Sequence, residues 1–353
     1  MADYTALDRF LHRLALSYPP VGELGFDVER RLFGSKASRR NAVYVTGLAR
    51  AGTTMLMRGL YASHQFASLT YNDMPFVLAP NLWGALSRLN AKQRSLRERA
   101  HGDGIQIDFD SPEALEEVFW RLYCGSDYIQ KDCLRIHTVN TQTVSKLESY
   151  QSLVCYKYGK NRYLGKNNNH ILRIASLAEQ SVNTTFLILF RDPVAQAQSL
   201  FRQHRAFLYA DSFTRQYMAW LAHHEFGATH RPFRFSGYVG AEGSPERLNY
   251  WLTRWIDAYA YLLEVMERKL PNVYAVSYER LCTRKDDWIA LCRTLELPNT
   301  ASPFHKAYVS TDRNTVETTL DTAQLSRADS IYQALDQLAR QSFSRKIHPR
   351  ISG

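Results

Sequence analysis

The stretch Gly47-Leu48-Ala49-Arg50-Ala51-Gly52-Thr53-Thr54 combines residue types that handle anions: two spaced glycines, one arginine and two adjacent hydroxyls. In a G-x-x-x-x-G loop the backbone N–H groups converge on an oxyanion, and the start of a following helix adds partial positive charge. Nucleotide P-loops place a lysine directly after the second glycine, where it reaches the terminal phosphates while a hydroxyl holds Mg²⁺. Thr53 stands at that place here, and the charge has moved into the loop as Arg50. Arg50, Ala51, Gly52, Thr53 and Thr54 thus form an oxyanion cradle that can clamp a terminal anion by charge-assisted hydrogen bonds, with no metal required. The β-branched and aromatic run Val43–Thr46 is expected to be a buried strand feeding the loop, and the apolar segment after Gly52 a helix.

A second anion motif lies further on. The apolar run Phe186–Phe190, expected to be a strand, is followed at once by Arg191-Asp192-Pro193. Asp192 suits a helix N-cap and Pro193 the first helical turn, so Arg191 and Ser199 can converge on one phosphate.

The first loop resembles the 5′-phosphosulfate loop of sulfotransferases that use 3′-phosphoadenosine 5′-phosphosulfate (PAPS). Its R-x-G-T-T form is closer to the tyrosylprotein and carbohydrate branch, here of a bacterial type, than to the K-S-G-T-T-W form of the cytosolic branch. The R-D-P-x5-S pattern resembles the family's 3′-phosphate motif and matches it at Arg191 and Ser199. The resemblance extends to Lys166: a lysine of comparable placement contacts the transferring sulfuryl group. An ammonium there stabilises charge gathering on the bridging oxygen of the leaving phosphate, more in the transition state than in the ground state. Tyr278, in S-Y-E-R-L-C, resembles the tyrosine of a Y-E-x-L segment near the donor nucleotide. The cytosolic branch's R-K-G-x-x-G is absent, which leaves Lys306 and Arg313 as candidates for closing the nucleotide pocket. The family implies PAPS as donor, 3′-phosphoadenosine 5′-phosphate (PAP) as product, and a hydroxyl or amine acceptor, with a glycan or glycolipid favoured by the branch.

Sulfuryl transfer also needs a group to take the acceptor's proton. In the resembling enzymes it follows the first loop helix. Asp73 is the only carboxylate in Leu69–Phe76 and is the first candidate, with His64 second. His223-His224-Glu225 and His230 form a later cluster that lacks H-E-x-x-H spacing, so it suits an acceptor pocket or a structural role better than a metal. The rival functions are a P-loop kinase or NTPase, which requires the missing lysine and Mg²⁺ ligands, and a non-catalytic nucleotide-binding module, against which Lys166 argues.

Strands separated by helices imply a P-loop-like α/β fold, a parallel sheet with helices on both faces and the site at the strands' carboxyl ends. Leu153–Tyr156 and Tyr163-Leu164 are candidates for a further strand, Val273–Val276 for another. Ile171–Ala178 and Pro245–Lys269 have helical spacing, the aromatics of the second suiting core. Ser111-Pro112-Glu113 is expected to open a helix running through Leu122, and the acidic run Asp103, Asp108, Asp110 before it to be an exposed loop. A single domain over residues 1–353 is expected, with a mainly helical acceptor-side insertion at about 74–150. The net charge of +10 suits a polyanionic donor, and the absence of zinc-finger spacing, RNP aromatics and dense basic blocks argues against nucleic acid. Five cysteines without C-x-x-C spacing are expected to be reduced and mostly buried. The N-terminus is interrupted by charges and suits an amphipathic helix rather than a signal peptide or anchor, so a cytoplasmic location is expected.

Overall fold

The run Val43–Thr46 lies in β1 (Asn41–Thr46), whose residues are buried from Ala42 onward. β1 is central to an all-parallel sheet with β2 (Arg162–Lys166), β3 (Thr184–Phe190) and β4 (Val273–Ser277), in the order β2–β1–β3–β4. The register pairs Val45 with Lys166 and Thr46 with Ile188, so β1 and β2 end within one residue of each other and β3 runs two residues further, to Phe190. Ala67 adds a parallel bridge to Tyr163 beyond β2. This computed structural model describes residues 6–88, 97–98, 106–107, 114–235, 243–298, 301–306 and 320–342.

The helices in chain order are α1 (Ala6–Ser17), α2 (Pro19–Phe33), α3 (Thr53–Tyr61), α4 (Pro80–Arg88), α5 (Glu117–Tyr128), α6 (Thr141–Lys157) and α7 (Ile174–Gln180). They continue with α8 (Pro193–Phe207), α9 (Ser212–Trp220), α10 (Leu248–Glu267), α11 (Tyr278–Thr283), α12 (Lys285–Thr294) and α13 (Thr322–Ser342). Successive strand residues point to opposite faces, and both faces are covered. Val43, Val45, Leu187 and Leu189 pack with Leu56, Met57 and Leu60 of α3 and Leu291 of α12. Ala42, Tyr44, Phe186, Ile188 and Phe190 join the larger core with α5, α6, α8, α10 and α13. Trp251, Trp255, Tyr259 and Leu262 of α10 are buried, as their helical spacing indicates.

Three local expectations are corrected. Leu153–Tyr156 is the last turn of α6, not a strand; Asn140 caps that helix through Thr143 N, and an apolar run so short has no period of its own to separate the two states. Ile171–Ala178 is divided: a 3-10 turn spans Asn168–Leu172, then Arg173 (ψ −2°) turns the chain into α7. The long helix opens at Leu248 rather than Pro245, and Lys269 lies beyond its end with φ 56°. Asp103, Asp108, Asp110, Ser111, Pro112, Glu113 and Arg313 lie outside the described residues, as does the side chain of Lys306.

Candidate functional site

The cradle follows β1 directly. Gly47 holds φ 143°, and a Cβ there would stand 2.2 Å from Leu189 O, so only glycine lets the chain leave β1 across β3. Gly52 holds φ 94° and caps α3 without a side-chain hydrogen bond. A Cβ on it would meet the Tyr278 ring at 2.6 Å, so the loop and Tyr278 are fitted to one another. Between the glycines Arg50 adopts φ 71°, a left-handed conformation that a non-glycine residue holds only when its surroundings enforce it. Its guanidinium Nε donates to Ser199 Oγ at 3.1 Å. The two anion motifs, far apart in sequence, are therefore in direct contact.

The second motif is built as its residues indicate. Asp192 accepts from Ala195 N at 2.8 Å and Pro193 opens α8. Arg191 lies over the Tyr278 ring, 4.7 Å from its centroid, and Glu279 Oε1 accepts from Asp192 N at 2.9 Å. Burial pushes the Glu279 carboxyl up, against the lowering effect of that bond. Gln196, inside R-D-P-x5-S, is fully buried and joins the two loops: Nε2 donates to Leu48 O and Ala49 O, each at 3.0 Å, and Oε1 accepts from Trp255 Nε1 at 3.0 Å.

Lys166 ends β2 beside β1 and is 7% exposed. The corner after it is tied to the cradle. Asn167 N donates to Val45 O at 3.1 Å, Thr46 Oγ1 donates to Asn167 O at 2.9 Å, and Thr53 Oγ1 donates to Asn168 Oδ1 at 3.4 Å. Beneath it, Glu117 accepts from Asn167 Nδ2, from the Tyr128 hydroxyl and from Arg173 at 2.9 Å. The structure thus gathers Arg50, Gly52, Thr53, Lys166, Arg191, Ser199 and Tyr278 about the carboxyl ends of the strands. Gln196, Asn167, Asn168 and Glu117 escape the sequence reading. Gln196 sat within a recognised motif, and N-N-N is equally good turn composition. For Glu117, the one signal was an acidic pair entering an apolar helix.

Asp73 is placed elsewhere. It closes a capping box in which its Oδ2 accepts from Thr70 N at 2.7 Å and Tyr158 OH at 2.8 Å, while Oδ1 pairs with Lys157 Nζ at 2.5 Å. Its side chain has no exposed surface. Lys157 and Tyr158 lead into β2 from its N-terminal end, whereas the cradle follows the strands' other end. His64 is exposed at the exit of α3.

The histidine cluster flanks the corner. His224 Nδ1 contacts Thr229 O and His230 Nδ1 contacts His224 O, both at 2.9 Å, and burial pushes both imidazoles down to about 4. Glu225 and His230 border a small cavity of about 20 Å³, whose wall includes Leu48 of the cradle, Leu200 of α8, and Trp251 and Arg254 of α10. Arg254 pairs with Asp257 at 3.0 Å, and burial pushes that carboxyl up to about 6 against the arginine's pull. Among the described residues, no three His, Cys, Asp or Glu side chains gather as a metal site. None of the five cysteines forms a disulfide, and four of them are buried.

A family model described as "Sulfotransferase family" matches residues 42–301. No curated protein matches the sequence. Among solved structures, the chain is similar to sulfotransferase STF1 from Mycobacterium tuberculosis H37Rv, at 13% identity and TM-score 0.50, covering 96% of this chain and 88% of that one. Sulfotransferase STF9 from Mycobacterium avium aligns at 13% identity and TM-score 0.46, over 97% of this chain and 87% of that one. The likeness to the first is one of fold, a central parallel sheet flanked by helices, and the family match covers that sheet from the second residue of β1 onward. The chain belongs to the sulfotransferase family.

Proposed function

We propose that the protein transfers a sulfuryl group from PAPS to a hydroxyl or amine acceptor, with a glycan or lipid-linked sugar as the favoured class. The observation that carries this is the 3.1 Å hydrogen bond between Arg50 and Ser199. It sets a terminal-anion cradle against a second phosphate motif, the arrangement a nucleotide bearing both a 5′-phosphosulfate and a 3′-phosphate requires. Arg50 and the Gly52, Thr53 and Thr54 backbone and hydroxyls hold the sulfuryl group and 5′-phosphate. Arg191 and Ser199 hold the 3′-phosphate, and Tyr278 packs beside the nucleotide. In an in-line transfer, Lys166 neutralises charge on the departing bridging oxygen. Arg50 and Lys166 supply cationic charge of the kind Mg²⁺ supplies in NTPases.

No helix among the described residues is long and apolar enough to cross a membrane. Mostly buried thiols that form no disulfide favour a reducing compartment, and we place the enzyme in the cytoplasm.

Calorimetric titration with PAP, alongside ATP with Mg²⁺, tests the donor. PAP is expected to bind without metal, and Arg191→Ala to weaken it about tenfold or more, the loss of one charge-assisted pair. Preference for Mg-ATP would replace this function with a kinase.

A further inference from the structure

The segment Ala222–Glu225 is fastened to the corner that follows Lys166. Asn169 Nδ2 donates to Ala222 O at 3.1 Å, and Asn168 Nδ2 donates to Glu225 Oε1 at 3.0 Å. The same Asn168 accepts from Thr53 of the cradle, so Glu225 is one side chain removed from the proposed sulfuryl site. Ala222 holds φ 47°, a conformation a non-glycine residue keeps only where packing over-determines it.

Glu225 Oε1 also lies 3.5 Å from His223 Nδ1. Burial would raise this carboxyl, but the charge of the His223 ring when protonated, with hydrogen bonds from that ring and the Asn168 amide, outweighs it and holds the group at about 2, so Glu225 is ionised before His223 gives up its proton. An ionised carboxylate on Nδ1 fixes the imidazole with its proton on that atom and leaves the Nε2 lone pair facing away. The His223 side chain is 22% exposed and that of Glu225 only 5%, so the ring is reachable while its anchor is not. His224 and His230, by contrast, use Nδ1 on carbonyls of their own loop.

We infer that His223 takes the acceptor's proton and that Glu225 is its positioning residue, an assignment that rests on the sulfotransferase function proposed above. The acceptor oxygen forms its bond to sulfur as the bond from sulfur to the bridging 5′-phosphate oxygen breaks. That bond's electron pair leaves with PAP, and the acceptor's proton passes to His223 Nε2. Lys166 and His223 then serve opposite ends of the transfer, leaving group and nucleophile.

PAPS labelled in its sulfuryl group, with water as acceptor, tests this on the full chain. His223→Ala is expected to slow PAP release about 100-fold or more, the scale of a lost general base, and to leave PAP affinity within about twofold. Added imidazole is expected to restore part of the rate, because the ring's place is open to solvent. His223→Gln keeps most of the volume, removes the base, and carries the same expectation for rate should the alanine variant fold poorly. Glu225→Gln is expected to lower kcat with little change in PAP affinity. Turnover by His223→Gln equal to wild type, failure of imidazole to rescue a folded His223→Ala, or wild-type protein that binds PAP yet releases none from PAPS would each overturn the assignment. Wild-type protein that binds no PAP would overturn the donor itself, a separable result.

Discussion

Lys166 and Asp73 are both buried charges, and their surroundings give them different work. Lys166 closes β2 level with the end of β1, where the cradle begins. Asp73 is consumed by a cap and an ion pair on the approach to β2. Lys166→Ala is expected to reduce turnover of PAPS by about 10²–10³ while PAP affinity changes far less, because in the proposed mechanism the ammonium acts on charge that develops during transfer. Equal loss of turnover and affinity would remove the assigned role. Asp73→Asn is expected to do the reverse: it leaves Lys157 without its buried partner and costs about 3 kcal/mol of stability by denaturant titration, with PAP affinity intact. Loss of turnover in a protein of unchanged stability would return Asp73 to the chemistry.

At the scale of elements, the site depends on how three strand ends meet. The cradle leaves β1 through Gly47 over Leu189 of β3, and re-enters helix at Gly52 against Tyr278 after β4. Gln196 of α8 fixes Leu48 and Ala49 from the other side. Gly52→Ala is therefore expected to act at a distance: a Cβ 2.6 Å from the Tyr278 ring must displace it, and Arg191 rests on that ring. Strain at φ 94° adds about 1–3 kcal/mol, so PAP binding is expected to weaken about tenfold or more in a protein that still folds. Wild-type affinity in this variant would mean that Tyr278 and the loop are not fitted as described. The strands and helices of this unit follow from local pattern, as with Phe186–Phe190 and the Asp192 cap. Leu153–Tyr156 does not, because what makes it helix is continuity with Asn140-capped α6 and burial against α2 and the sheet, neither of which a four-residue run encodes.

For the whole molecule, burial of neutral imidazoles ties stability to pH. Burial pushes His137 down to about 3 and His224 and His230 to about 4, from an ordinary 6.5. The unfolded chain binds these protons first. Their contribution is therefore complete above pH 6.5 and is lost as pH falls toward 4, at roughly 1.4 kcal/mol per unit for each group. Glu225, held at about 2 against an ordinary 4.5, adds a further loss below pH 4.5. Denaturant titrations are expected to show stability falling steadily from pH 7 to pH 5, and a flat profile over that range would contradict the buried-histidine account. The sequence by itself determined what contiguous residues can encode: the cradle's spacing, the R-D-P cap, the parallel α/β order and the buried thiols. Such features arise from backbone conformation and local apolar period, which a few neighbouring residues fix. Only the tertiary structure decided that Arg50 meets Ser199, that Asp73 is spent on Lys157 and Tyr158, and that Asn168 joins Thr53 to Glu225 and His223. A side chain's partner and its distance from water come from segments far away in the chain, and these exist only once the core has closed.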